Sequence, residues 1–442
     1  MKKEAVASAA ASFFILGGDF LKDRNIEMSR AALVGIVTRD ENAEAVEVSL
    51  DELARLADTA GACEAVRLVQ NKETPDPRTM IGSGKVVELA ALCENNDVDI
   101  VIFDCDLSPS QIRNLEDEMP EDVRVIDRSM LILDIFALHA VTGEGKLQVE
   151  LAQLRYTAPR LYGKGSELSR LGGGIGTRGP GESKLESDKR HISRRIYALE
   201  EQIREMEKNR MTMRASRDKS GVPKVAIVGY TNAGKSTILN RLTDAGILAE
   251  DKLFATLDPT TRKFQLPSGE SVLLTDTVGF IKKLPHHLIK AFRSTLDEVS
   301  YSDCVLVMID ASEPECHEQL SVTEKLLEDL GASGKPILYV YNKCDVESEI
   351  MPKIKQDAGD NNVFFISSLT GEGIDKLVAR IEEFVNDGKT NETFLFPHND
   401  QSLINVLYKN AVILDTEYLA EGVKISATVD AKTKGILSKY LI

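Results

Sequence analysis

The sequence predicts an α/β protein with three domains and one helical arm. Strand-like and helix-like segments alternate over residues 31–140, which is typical of a parallel sheet covered by helices. A glycine-rich loop at Gly229, between a buried strand and a helix, predicts a second, doubly wound sheet. Two strand patterns and two helical patterns after residue 392 are typical of a small α+β domain. We therefore expect domains at 1–145, 222–388 and 393–442, a basic arm at 146–221 and a linker at 389–392.

In the N-terminal domain, short apolar runs predict four strands, at residues 32–38, 65–69, 99–103 and 123–126. Helical spacing of apolar residues predicts the intervening helices, at 50–60, 82–93, 108–119 and 129–140. Ser108 before Pro109 is typical of a helix N-cap followed by proline in the first turn. The run Gly82-Ser83-Gly84-Lys85 could be another phosphate loop, but it lacks the required spacing, and a turn into a helix is the preferred interpretation.

Composition places limits on the function and location of the chain. Its 442 residues are 43% hydrophobic and carry a formal net charge of −16, which argues against indiscriminate nucleic-acid binding. The six cysteines show no C-x-x-C spacing, so neither a zinc site nor a disulfide framework is indicated. Residues 5–18 resemble a short signal peptide but contain Ser8 and Ser12 and lack a cleavage motif. We expect a cytoplasmic, monomeric protein without membrane insertion.

The arm reverses the charge of the chain. Residues 146–224 hold 18 Lys and Arg and 10 Asp and Glu, a net of +8, so the other residues carry −24. A helix at 147–156 is followed by the glycine-rich loop 172–181 and a long helix at 186–217. Apolar residues on the long helix repeat every three or four positions and predict packing on one partner helix; they are Ile192, Ile196, Leu199, Ile203 and Met206. The sequence thus predicts an antiparallel helical pair.

Two interpretations of the basic residues in the arm remain open. A solvated helix face with i, i+4 ion pairs explains residues 200–208. It does not explain the pairs Lys189-Arg190 and Arg194-Arg195. A basic, glycine-rich tip on an acidic protein is also suited to contact RNA phosphates.

The loop after residues 224–228 has the pattern G-x-x-x-x-G-K-S of a phosphate-binding loop. Its backbone N–H groups and the following helix N-terminus are expected to bind phosphate oxygens. Lys235 is expected to reach the β- and γ-phosphates, and the Ser236 hydroxyl to ligate Mg²⁺. The loop residues are Gly229, Tyr230, Thr231, Asn232, Ala233, Gly234, Lys235 and Ser236.

Two further motifs follow strands in the order that a guanine-nucleotide site requires. A strand at 273–276 ends in D-x-x-G, formed by Asp276, Thr277, Val278 and Gly279, in which Asp276 is expected to hold Mg²⁺ through water. A strand at 337–341 ends in N-K-x-D, formed by Asn342, Lys343, Cys344 and Asp345. The Asp345 carboxylate can accept two hydrogen bonds from guanine, whereas adenine offers no such pair. After a last strand at 363–366, the backbone of Ser367, Ser368 and Leu369 is expected to meet guanine O6.

A segment that responds to the γ-phosphate is expected between the phosphate loop and D-x-x-G. It contains Phe254, Ala255, Thr256, Leu257, Asp258 and three further polar residues up to 262, and three threonines compete for the Mg²⁺ position. Phe280 follows Gly279 where Ras-like GTPases carry the glutamine that orients the attacking water. Phenylalanine cannot polarise water, so the catalytic group is unknown. Phe280 either packs in the core or marks an enzyme that depends on a partner for fast hydrolysis.

These motifs together resemble those of the HflX family of ribosome-associated GTPases. The specific matches in the nucleotide domain are residues 229–236 (GYTNAGKS), 254–258 (FATLD), 276–280 (DTVGF) and 342–345 (NKCD). Outside it, residues 172–186, 154–161 (LRYTAPRL) and 81–86 (IGSGKV) also resemble the family. The resemblance covers nearly the whole chain except about the first 30 residues.

The resemblance implies roles that the composition does not show. It implies Thr256 as the switch ligand of Mg²⁺ beside Ser236, and it implies K⁺ binding by Asn232, as in related potassium-dependent GTPases. Phe280 conforms to the family, and Ser368 stands where alanine is common. A protein of this family is expected to bind the large ribosomal subunit and to split or rescue stalled or idle ribosomes under stress.

We therefore expect a Mg²⁺-dependent GTP hydrolase that contacts ribosomal RNA through its arm. Two alternatives stay open from the sequence. One is a GTPase switch that recruits a protein partner without touching RNA. The other is an ATP-driven RNA or ribosome remodeller that uses the N-terminal domain.

Overall fold

The computed structural model describes residues 28–39, 41–162, 180–218, 222–243, 253–254, 259–283, 293–332, 334–346, 362–387, 389–397, 401–429 and 431–442. The chain divides into two compact units. Unit 1 contains Met1–Lys208, Glu250–Asp258 and Val278–Thr295, and unit 2 contains Asn209–Ala249, Pro259–Thr277 and Leu296–Ile442.

Unit 1 is built on a four-stranded parallel sheet. Its strands are β1 (Ser29–Val37), β2 (Ala62–Asn71), β3 (Ile100–Phe103) and β4 (Arg124–Asp127), in the order β2-β1-β3-β4. The intervening helices are α1 (Ala43–Thr59), α2 (Ser83–Asn95), α3 (Pro109–Glu116) and α4 (Arg128–His139). The alternating pattern of the sequence is thus confirmed. One face of the sheet buries β1 and β3 side chains against α2 and α3, including Val34, Leu89, Phe103 and Leu115.

Caps explain where two of these helices begin. Helix α1 begins at Ala43 rather than at residue 50, because Asn42 Oδ1 accepts a hydrogen bond from the Ala45 N–H at 2.7 Å. In residues 43–49 (AEAVEVS) the apolar residues stand at positions 43, 45, 46 and 48, which is not the spacing of three and four positions that predicts a helix. Helix α3 has the expected Ser108 cap, completed by Gln111, whose side chain accepts a hydrogen bond from the Ser108 N–H at 2.9 Å.

The arm consists of helices α5 (Gly143–Tyr162) and α6 (Pro180–Asp218). Their contact is an apolar cluster that contains four of the five residues of the predicted stripe, all except Met206, with Leu199 fully buried. The cluster comprises Leu147, Leu151, Leu154, Ala158, Ile192, Ile196, Leu199 and Ile203. Helix α6 begins at Pro180 rather than at residue 186, and proline is favourable in a first helical turn. The rest of the glycine-rich loop, 172–179, lies outside the described residues.

Unit 2 contains a six-stranded sheet with the order β10-β9-β8-β5-β7-β6. All neighbours are parallel except β6, which runs antiparallel to β7. The strands are β5 (Lys224–Gly229), β6 (Thr260–Gln265), β7 (Ser271–Asp276), β8 (Cys304–Asp310), β9 (Ile337–Asn342) and β10 (Val363–Phe365). The helices are α7 (Lys235–Thr243), α8 (Arg293–Ser300), α9 (Cys316–Asp329) and α10 (Ile374–Asn386). The predicted doubly wound sheet is confirmed, and the carboxyl ends of its parallel strands share one edge.

The tail of the chain forms a three-stranded antiparallel sheet with the order β11-β13-β12. Its elements are β11 (Thr390–Pro397), α11 (Gln401–Asn410), β12 (Val412–Leu419), β13 (Gly422–Val429), α12 (Ala431–Leu437) and a 3₁₀ turn (Ser438–Tyr440). The linker expected at 389–392 is wrong, since Thr390–Glu392 begin β11. These polar residues belong to a strand because they pair with Ala427–Val429 of β13, a contact that is invisible in local sequence. Among the described residues, no helix is both long and apolar enough to cross a membrane.

Candidate nucleotide site

The loop between β5 and α7 is shaped by two glycines. Gly229 has φ +146°, and a Cβ there would lie 2.2 Å from the Met308 carbonyl oxygen. Gly234 has φ +91°, and a Cβ there would lie 2.1 Å from Asn342 Nδ2. Both positions therefore require glycine for backbone conformation and for close approach to neighbouring strands. Asn232 also has a positive φ, 62°, which asparagine tolerates better than most residues.

Lys235 lies at the start of α7 with its side chain folded into this loop. The residue is only 6% exposed, and its Nζ donates to the Tyr230 carbonyl at 2.6 Å. Burial lowers the pKa of Lys235 to about 8, and the Asp276 carboxylate offsets part of this effect. An ammonium group held among backbone groups in this way is suited to an anionic ligand such as a phosphate.

Ser236 and Asp276 form the oxygen-rich part of the site. The Ser236 hydroxyl donates to Asp276 Oδ2 at 2.7 Å, and Asp276, at the end of β7, is fully buried. One hydroxyl and one carboxylate side by side are hard oxygen donors of the kind that Mg²⁺ prefers. The residues present thus fit a Mg²⁺ site, as the sequence predicts. The third expected ligand, Thr256, lies outside the described residues together with Ala255, Leu257 and Asp258.

Asn342 joins the phosphate loop to the predicted guanine-binding loop. It is 1% exposed, and its Nδ2 donates to the Ala233 carbonyl at 2.8 Å. Its Oδ1 accepts from the Ser368 N–H, also at 2.8 Å. The two loops follow different strands, β5 and β10. The buried amide of Asn342 bonds to both loops and so sets the distance between them. This contact brings together residues that are more than 130 positions apart in the chain.

The rest of the N-K-x-D motif lies at the same strand end. Lys343 Nζ forms an ion pair with Asp310 Oδ2 at 2.7 Å, and Lys343 has φ 62°. Asp345 is exposed, and Cys344 is half-buried with its N–H bonded to the Ile366 carbonyl at 3.1 Å. Sequence reasoning missed Asp310, which ends β8 and holds the ammonium of Lys343. Its position at the end of an apolar strand in the same sheet was the available signal.

The remaining predicted residues are mostly buried. Thr277 is fully buried, and its hydroxyl donates to the Ile227 carbonyl at 2.8 Å. Tyr230, Thr231, Val278 and Gly279 are buried, as are Ser367 and Ser368, whereas Leu369 is 74% exposed. Within the described part of the chain, the Thr231 and Ser368 hydroxyls lack a hydrogen-bond partner. Polar groups buried in this way are typical of a ligand site.

Two residues of the switch segments lie in unit 1. Phe254 is 2% exposed with φ 59°, and its ring meets Phe136 of α4 edge-on at 4.7 Å between centroids. Phe280 is 1% exposed, so its side chain is part of a core and is not available to a water molecule. This burial agrees with the core interpretation of Phe280 and leaves the catalytic group unassigned.

A buried ionic cluster in unit 1 was not foreseen from the sequence. Arg128, at the start of α4, is 2% exposed and forms ion pairs with Glu52 and with Asp104, the latter at 2.6 Å. Its Nη2 also donates to the Lys282 carbonyl at 3.1 Å, and Lys283 Nζ pairs with Asp104 at 3.1 Å. The cluster therefore holds residues 282–283, directly after the D-x-x-G-F motif. No local pattern predicts a charged residue in a core, so sequence reasoning could not find it.

Comparison with known families covers nearly all of the chain. Four family models match in order: GTP-binding GTPase N-terminal at 47–137, GTP-binding GTPase Middle Region at 139–217, 50S ribosome-binding GTPase at 224–343 and HflX C-terminal domain at 353–435. The third match contains the phosphate loop, D-x-x-G and the Asn342-Lys343 pair.

Individual relatives align over almost the full length. The GTPase HflX of Caldanaerobacter subterraneus subsp. tengcongensis is 48% identical over 425 residues, which is 96% of this chain and 96% of that protein. That of Lacrimispora saccharolytica is 48% identical over 91% of this chain and 94% of the relative. That of Escherichia coli is 40% identical over 92% of this chain and 94% of the relative. With a phosphate loop and an N-K-x-D motif assembled at one sheet edge, this chain binds and hydrolyses GTP and belongs to the HflX family of GTPases.

Proposed function

We propose that this GTPase is a molecular switch that binds the large ribosomal subunit and splits or rescues stalled or idle ribosomes under stress in the cytoplasm. The observation that carries the proposal is the joining of the two nucleotide loops by Asn342, on a chain whose nucleotide domain matches the 50S ribosome-binding GTPase model. The basic arm supports an RNA contact, since residues 146–224 carry a net charge of +8 against −24 in the rest of the chain. We also propose the four-part division at 1–145, 146–221, 222–388 and 393–442.

In this proposal the phosphate loop, Lys235 and the switch residues bind the triphosphate. Ser236 and Thr256, with Asp276 acting through water, would hold Mg²⁺, which would supply positive charge to the phosphates. Lys235 supplies a positive charge from a dry position, where electrostatic interactions are stronger than in water. The Gly279 N–H contacts the γ-phosphate. When hydrolysis removes that phosphate, the contact is lost and the segment after β7 is released.

Base recognition is assigned to Asp345 and to the backbone of residues 367–369. Replacement Asp345→Asn changes a pure acceptor into a side chain with donors, so preference shifts from GTP to xanthosine triphosphate. The measurement is the competition of both nucleotides for the purified protein. Asp375→Asn, an exposed carboxylate on α10, is the matched control and keeps GTP preference. Unchanged GTP affinity in Asp345→Asn, or ATP turnover equal to GTP turnover, rejects the base assignment.

The ribosome assignment is tested by GTP turnover with and without purified large and small subunits. Because Phe280 cannot orient water, we expect slow intrinsic turnover and a stimulation of about 10³-fold or more by large subunits. Equal turnover with and without subunits contradicts the proposal. Running the assay in K⁺ and in Na⁺ tests the proposed K⁺ ion at Asn232.

Co-sedimentation at increasing salt tests the contact through the arm. Phosphate contacts give a steep, linear fall of log affinity with log salt concentration. The double variant Lys189→Gln with Arg190→Gln changes two exposed positions on α6. We expect it to make the slope shallower by the amount that corresponds to about two phosphate contacts. Lys376→Gln with Lys439→Gln removes the same charge from exposed positions in unit 2 and is the control. An identical slope in both double variants favours a protein partner over RNA.

A further inference from the structure

Asn342 ties the guanine-binding loop to the phosphate loop. A second side chain ties the same loop to α7, the helix that follows the phosphate loop. Arg241 lies in the last turn of α7, five residues after Ser236. Its Nη1 donates to the Leu369 carbonyl at 2.8 Å, and its Nη2 donates to the Thr370 carbonyl at 2.7 Å. One planar guanidinium thus engages two consecutive carbonyls of the loop, a geometry that lysine cannot reproduce.

Arg241 also occupies space that the loop leaves for it. Gly371 has φ +96°, and a Cβ there would lie 2.3 Å from Arg241 Nη2 and 3.1 Å from Cζ. A side chain at position 371 would therefore displace the guanidinium as well as strain the backbone. The absence of a side chain at 371 and the presence of arginine at 241 are parts of the same contact.

The loop has one backbone donor left for a ligand. From 367 to 372, the N–H groups of Ser367, Thr370, Gly371 and Glu372 bond within the loop, and that of Ser368 bonds to Asn342. The Leu369 N–H alone has no acceptor among the described residues. It lies between the carbonyl bonds of Arg241 on one side and the Asn342 bond on the other.

We propose that Arg241 is a positioning residue for guanine recognition, which holds the Leu369 N–H in place to donate to O6 of the base. The proposal rests on the assignment of residues 367–369 to the guanine site. Asn342 anchors the loop at Ser368, and Arg241 anchors it at the next two residues. The two anchors hold the peptide groups on either side of the one that carries the Leu369 N–H, which restricts its rotation and preorganises this donor before the nucleotide arrives.

A base that lacks O6 separates this role from a general structural one. The probes are GDP and 2-aminopurine riboside diphosphate, which keeps the 2-amino group and the diphosphate. Dissociation constants are measured for the full-length protein, for Arg241→Ala and for Arg241→Lys. We expect Arg241→Ala to weaken GDP binding about tenfold and the analogue less than twofold. Arg241→Lys, which can reach one carbonyl, falls between the two.

Arg380→Ala is the matched control, since Arg380 on α10 binds Asn362 at the other end of the same strand β10, at 3.1 Å. It is expected to leave both affinities unchanged. An equal loss for both nucleotides in Arg241→Ala, or no loss for either, overturns the proposal. If Arg241→Ala does not fold, the same comparison with Arg241→Lys decides. Failure of the base assignment itself appears separately, as unchanged GTP preference in Asp345→Asn.

Discussion

Removal of the buried guanidinium of Arg128 gives a prediction with a large and local effect. Arg128 is 2% exposed, and Glu52 and Asp104 are each 4% exposed. Water therefore cannot solvate the two carboxylates when the guanidinium is removed. Burial alone would lower the pKa of Arg128, but attraction to Glu52 and Asp104 and hydrogen bonds to both raise it above its ordinary value. The guanidinium is therefore charged at every pH at which the protein is folded.

Arg128→Met removes the guanidinium that pairs with both buried carboxylates, Glu52 and Asp104, while Lys283 stays paired with Asp104. Breaking a buried ion pair by removing one partner costs about 3–5 kcal/mol, because the remaining charge stays uncompensated. The assay is hydrogen–deuterium exchange of the full-length protein, followed at peptides of β1 and β3. A loss of about 3 kcal/mol in opening free energy accelerates exchange of their slowest amides by roughly 10²-fold.

The matched control is Arg67→Met. Arg67 also has three acidic partners, Glu47, Asp51 and Glu64, but its side chain is 26% exposed. Solvent screens these pairs, so we expect a cost of about 1 kcal/mol or less. The combined variant with Glu52→Gln, Asp104→Asn and Arg128→Met should recover most of the loss, since no buried charge remains unbalanced. If Arg128→Met exchanges no faster than Arg67→Met, the reasoning from burial is refuted.

Three further predictions concern the site and one thiol. Phe280→Gln places an amide in a core position that is 1% exposed. We expect it to lower the free energy of unfolding by about 1–3 kcal/mol and not to accelerate GTP turnover. A tenfold gain in turnover would contradict the buried placement. Asn232→Ala is expected to bring turnover in K⁺ down to the level in Na⁺, and a retained K⁺ stimulation excludes Asn232 as a ligand. Burial raises the pKa of Cys304 to about 12, and the residue is 1% exposed, so at pH 8 iodoacetamide should label Cys304 only after unfolding in urea; rapid labelling of Cys304 in the native protein would contradict this.

Elements with strong local signals were predictable from the sequence. Apolar runs rich in β-branched residues, such as Val225–Val228, favour buried strands, and the glycines at 229 and 234 permit the turn that follows. The nucleotide motifs follow strands at one edge of a parallel sheet, so their meeting could be inferred from strand order alone. The helix stripe from Ile192 to Ile203 likewise predicted its own contact.

Contacts between distant residues were decided by the tertiary structure alone. From the sequence, residues 390–392 are predicted to be a linker, but in the structure they pair with β13. Arg128 is typical of a surface residue by its type, but in the structure it is buried and paired with Glu52 and Asp104. Arg241 carries no motif, yet its helix places it against the carbonyls of residues 369 and 370. The sequence by itself determined which segments form strands, helices and phosphate-binding turns, because those preferences are local. Only the folded chain determined which charges are buried and which loops are tied together, because those energies depend on partners far away along the chain.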